Sequence, residues 1–108
     1  MALKSWNIAD FTGATAEAPV EQVLLEASGV TIMVLSLIVS NYSNLEDANV
    51  TVERRGSDNS VKFRWIMELK ATDSPLGLDT KMVYTGGDKI VITSDQPDVS
   101  AEANGNES

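Results

Sequence analysis

The chain of 108 residues contains no cysteine and no histidine. Without cysteine there can be no disulfide framework, thiolate nucleophile, thiolate zinc site or iron–sulfur cluster. Without histidine the commonest general base and the commonest transition-metal ligand are missing, and a Ser-His-Asp arrangement is impossible. Catalysis would rest on carboxylates, lysine, tyrosine or serine alone, so the expectation is a protein that is not an enzyme. Positive charge is scarce too: 8 bases stand against 16 acids, a net charge of -8. Such a surface repels phosphate backbones, which argues against nucleic-acid binding, and it keeps an abundant protein soluble. The most apolar run, "VTIMVLSLIV" at 30–39, is far shorter than the about 20 residues a membrane helix needs. The opening "MALKSWNIADF" has one lysine and no long apolar stretch, unlike a signal peptide. No membrane contact is expected.

What is present is β patterning. "VKFRWIMELK" alternates, with Val61, Phe63, Trp65, Met67 and Leu69 on one face and Lys62, Arg64, Glu68 and Lys70 on the other, Ile66 excepted. Period-two alternation predicts a strand with one buried and one wet face. "GVTIMVLSLIVSN" is rich in β-branched residues and reads as a strand buried on both faces. "VEQVLLEA" fits a strand or a short helix. "NVTVER", "TKMVYT", "KIVIT" and "VSAEA" complete the set. The turn-forming stretches "RRGSDNS", "ATDSPLGLD", "TGGDK" and "SDQPD" separate them. "TGGDK" joins two strands rather than leading into a helix, so it reads as a hairpin turn and not a phosphate cradle. About seven short strands predict one all-β sandwich, jelly-roll or immunoglobulin-like in order, over residues 20–103. Residues 1–19 show no consistent period and read as an extended N-terminal arm. Residues 104–108 read as a flexible polar tail.

Candidate chemistry is thin. Glu46 with Asp47, and Asp95 with Asp98, lack the alternating oxygen ligands of a calcium loop and sit where turns favour acids. No metal or cofactor is expected. Arg54–Gly56 reads as a solvated basic turn tip, with contact to an acidic partner as the alternative. Trp6, Ile8 and Phe11 are unusual in an arm without periodicity: they either pack back on their own domain or dock on a partner.

The order from "VLSLIVSNYSNLEDANVTVERRG" to "GGDKIVITSDQPDVSAEA" resembles a family of small β-sandwich virion proteins of tailed bacteriophages. The matching pieces are Ala48 to Val52, Pro75 to Leu78, Gly87 to Ser94 and Val99 to Ala101. The resemblance covers about residues 20–103. It implies a capsid decoration (cement) protein, made in host cytoplasm, that binds the major capsid protein on the outside of the head. A neck or tail component is the alternative within the same class, and a carbohydrate-binding module is the alternative outside it. It also implies symmetric self-assembly, often as a homotrimer, and no catalytic residues. On this expectation Trp6, Ile8 and Phe11 anchor the protein to its partner, and removing residues 1–18 leaves a folded domain.

Overall fold

The computed structural model describes residues 2–72, 75–78 and 82–108. It contains nine strands and, among the described residues, no helix: β1 (Ala2–Ile8), β2 (Val20–Glu26), β3 (Ile32–Asn41), β4 (Ala48–Arg55), β5 (Val61–Leu69), β6 (Leu76–Leu78), β7 (Val83–Tyr84), β8 (Lys89–Ser94) and β9 (Val99–Glu107). Part of the expected strand "TKMVYT", Thr80 and Lys81, lies outside the described residues. "VEQVLLEA" is strand, with a bulge between Val23 and Leu25 that turns both Leu24 and Leu25 into the core.

The strands pair in nested order. β4 pairs with β5, β3 with β6 and β7, β2 with β8, and β1 with β9, all antiparallel. The first sheet runs β1-β9-β3-β6, with β7 also on β3; the second runs β2-β8-β4-β5. β6 and β7 oppose different stretches of β3 and together fill one strand position. The chain is thus one long antiparallel hairpin rolled so that strands fall in alternate sheets, save that β4 and β5 share the second and β6 and β7 the first. That is the jelly roll, and it decides between the two orders that the sequence leaves open.

Between the sheets lie Leu24, Leu25, Ile32, Val34, Leu37, Val39, Val50, Val52, Ile90 and Ile92. The turn at Gly86–Gly87 is not the hairpin connection expected from the sequence: it carries the chain from β7, paired with β3 in the first sheet, to β8 in the second, and both glycines have positive φ (63° and 86°), the left-handed geometry that favours glycine.

Three expectations are corrected here. The N-terminal segment is not an arm, because residues 2–8 form β1, paired along its length with β9. Phe11 is fully buried, Ile8 nearly so, and Trp6 packs against the same core. The backbone N–H of Phe11 donates to Pro97 O at 2.9 Å, fixing the chain where it leaves β1. The C-terminal residues are not a tail, since β9 continues to Glu107 and the Ser108 N–H donates to Thr31 O at 3.0 Å. β3 is not buried on both faces: Leu35 and Ile38 are exposed, because nothing in the described chain covers the outside of the first sheet. The alternation on β5 is present, but only Leu69 on its apolar face is fully buried and Phe63 is 49% exposed, since β5 is the outermost strand of its sheet.

Candidate functional site

Two of the acids considered as calcium ligands, Asp47 and Asp95, hold loops together instead. Asp47 accepts from the Ala71 N–H at 2.8 Å, and Asp95 accepts from both the backbone N–H and the side-chain amide of Asn49, at 2.8 Å each. Among the described residues no three carboxylates gather where a metal ion could bind. Nor is Arg54–Gly56 a solvated tip. Arg54 continues the inward row of Val50 and Val52, stacks on the Tyr84 ring (4.5 Å to its centroid) and donates to Asp88 at 2.9 Å. Asp88 also accepts from Lys62 at 2.9 Å. Arg55 points to the opposite side of β4 and bridges Glu53 (2.5 Å) and Glu21 (2.6 Å). Arg64 closes the set on Glu53 at 2.5 Å.

Glu53 and Asp88 are both nearly buried. Burial pushes the Glu53 carboxyl up, but hydrogen bonds from Arg55 and Arg64 outweigh it and hold the carboxyl below its ordinary value. For Asp88 the bonds from Arg54 and Lys62 lead and lower it against a smaller opposing effect of burial. A carboxyl depressed on folding contributes stability above its unfolded value, and that stability is lost as pH falls through the folded value. The unfolded values are 4.5 for Glu53 and 3.8 for Asp88. The melting temperature should therefore hold steady down to about pH 5 and fall below it, as thermal melts across a pH series will read. Glu53→Gln should shrink the acid-side drop while lowering stability at neutral pH.

The outward faces of the two sheets differ sharply. The second sheet carries the Glu21–Arg55–Glu53–Arg64 network. The register of the first sheet places outward rows Leu3–Asn106–Met33–Val83, Ser5–Asn104–Ser36, Asn7–Glu102–Ile38–Gly77 and Ser100–Ser40. Glu102 is the one charged residue in those rows, in a chain that is 22% charged. Leu3 is 83% exposed, Val83 52%, Leu35 43% and Ile38 41%. A shallow groove of about 540 Å³ crosses the face, lined by Leu3, Lys4, Ser5, Leu35, Asn104 and Gly105. An apolar surface ringed by amides and hydroxyls and nearly free of charge has the composition of a protein-binding patch. The residues singled out in the sequence lie elsewhere: Ile8 and Phe11 are in the core, and Trp6 faces inward with Lys4 over its ring at 5.9 Å. Leu3, three residues before Trp6, carried no sequence signal.

No family model and no curated protein matches this chain. Solved structures do resemble it. The Drosophila NLP core, described in terms of pentamer formation and histone binding, matches at 14% identity with a TM-score of 0.51, covering 100% of this chain and 99% of that one. A capsid structure of infectious bursal disease virus, Gx strain, matches at 11% identity and a TM-score of 0.43, covering 96% of this chain and 33% of that one. The T13 particle of the same virus matches at 12% and 0.42, covering 95% and 30%. This chain thus spans about a third of the viral chains. At 14% identity the first likeness is one of fold, and the lower-scoring viral matches add nothing to it.

Proposed function

We propose that this protein is a non-catalytic structural component of a virus particle, of the capsid decoration type, and that it docks on the major capsid protein through the outward face of the first sheet. The observation that carries the reading is that face: exposed leucine, isoleucine and valine side chains among neutral polar residues, on a chain of net charge -8 whose second sheet bears charged side chains on its outer face. A protein of net charge -8 pays in desolvation wherever it buries a charged surface, and this face spares it that cost. The jelly roll supports the reading as a rigid platform, and the resemblance of residues 20–103 to phage virion proteins supplies the particle. Repeated copies on a shell would hold by multivalency even where each contact is weak.

Two measurements test it. Quantitative mass spectrometry of virions from the native source should find this chain in a simple ratio to the major capsid protein. Complete absence from virions overturns the reading, and a dozen copies or fewer moves the protein to neck or tail. On isolated particles, Leu3→Asp with Val83→Asp should lower occupancy by about tenfold or more, since charge is placed in one apolar row. Both residues are more than half exposed, so the melting temperature should shift by only a few degrees.

A further inference from the structure

The second sheet ends in two strands without a neighbour on their far sides among the described residues, β2 and β5. Its register sets up two adjacent outward rows. One runs Val23–Val91–Glu53–Arg64, the other Glu21–Thr93–Thr51–Ile66. At the β5 edge the rows end in a cation and an apolar side chain, Arg64 and Ile66. At the β2 edge they end in an apolar side chain and an anion, Val23 and Glu21. Ile66 is 78% exposed and Val23 51%. Ile66 flanks a shallow hollow of about 260 Å³ with Thr51, Glu53, Arg64 and Thr93.

We propose that copies of this chain associate head to tail, the β5 edge of one copy against the β2 edge of the next. β2 is antiparallel to β8, β8 to β4 and β4 to β5, so β5 runs antiparallel to β2. A second copy set alongside in the same orientation therefore continues the antiparallel alternation across the seam. Ile66 then meets Val23, and Arg64 meets Glu21, as diagonal neighbours within reach of long side chains. Arg64 is half exposed while it holds Glu53, and its guanidinium has donors to spare. Glu21 is likewise half exposed, with one carboxylate oxygen on Arg55.

The wider charge pattern agrees. Residues 48–70 carry five bases (Arg54, Arg55, Lys62, Arg64, Lys70) against three acids (Glu53, Asp58, Glu68), a net of +2 in a chain of net -8. Residues 17–26 carry Glu17, Glu21 and Glu26 with no base. The β5 side of one acidic molecule, net positive over residues 48–70, thus faces a strand of the next that carries Glu21 and Glu26 and no base. A contact between two different surfaces is heterologous, and it closes into a ring when the rotation per copy allows. It uses the second sheet only, leaving the outward face of the first sheet free, and it does not depend on the proposed virion role.

A heterologous contact has a diagnostic test. Ile66→Asp disables the β5 edge and Val23→Asp the β2 edge. By light scattering on size-exclusion fractions, the unmodified protein should run above monomer mass and each variant should run as monomer, self-association falling about tenfold or more. Mixed in equal amounts, the two variants should form a dimer of one copy each and nothing larger, because each still offers one intact edge. A monomeric unmodified protein, a single variant that keeps the unmodified mass, or a mixture that stays monomeric overturns the proposal. Circular dichroism checks the fold of each variant. Should either aspartate variant unfold, Ile66→Thr and Val23→Thr keep the β-branch and repeat the same experiment.

Discussion

Removing residues 1–11 unfolds the protein. The deletion takes away β1, which covers β9 along seven paired residues, and with it Ile8 and the fully buried Phe11. Truncating a buried phenylalanine alone costs about 3–5 kcal/mol. A domain of this size has only about 5–15 kcal/mol in total. The deletion also bares the edge of β9 and the core side of Ala101 and Ala103. We expect the truncated chain to lose its cooperative melt and its native circular dichroism, and Phe11→Ala to lower the melting temperature by about 15 °C. A truncated chain that melts cooperatively near the full-length temperature would show β1 to be a dispensable arm.

The second large effect is expected at Gly105. A Cβ built there would lie 2.1 Å from Met33 O, 3.0 Å from Met33 C and 3.1 Å from Val34 Cα. All three are backbone atoms of the neighbouring strand, at the place where the β3–β9 register shifts between Val34 and Ser36. No side chain can swing aside, so Gly105→Ala has to push two central strands of the first sheet apart. Overpacking of this kind costs about 1–3 kcal/mol or more, which for a domain of this length lowers the melting temperature by about 10 °C. Gly77→Ala is the control, since its added Cβ meets nothing within 4 Å. Equal melting temperatures for the two variants would mean that the bulge relaxes to admit a methyl group.

Local grammar was the legible part of the fold. Alternation on β4, β5 and β8 and the glycines of the β7–β8 turn are short-range signals, and the all-β sandwich follows from them. Strand order is not local, so the half-exposure of Phe63 could not be read from a strand that alternates well. β1 was missed because its inward row is Lys4, Trp6 and Ile8 while Leu3 points out, which inverts the usual pattern at the strand's start. The end of β9 was missed because Asn104 and Asn106 face outward and Gly105 is demanded by Met33, so "NGNE" carries the composition of a loop. The exposed apolar face of the first sheet was invisible for a related reason. Its apolar residues come from β1, β3 and β7, and three of them, Met33, Leu35 and Ile38, sit inside the run 30–39, where an outward apolar side chain reads like any buried one.

The nested pairing of the strands also sets a timetable. The β4–β5 hairpin is the one pair joined by a short turn; the pairings of β3 with β6 and β7, of β2 with β8 and of β1 with β9 enclose it in turn across longer spans of chain, while β3–β9 and β4–β8 join across the roll. Closing long spans is entropically costly until the contacts inside them exist. The innermost hairpin is therefore the natural seed, and β1 cannot pair until β9, at the far side of the roll, is in place. Until then the apolar β3 waits without β9 beside it. A chain rolled this way gains its stability late and all at once, and in that interval its freedom from aggregation rests on the acidic residues spread along its first half.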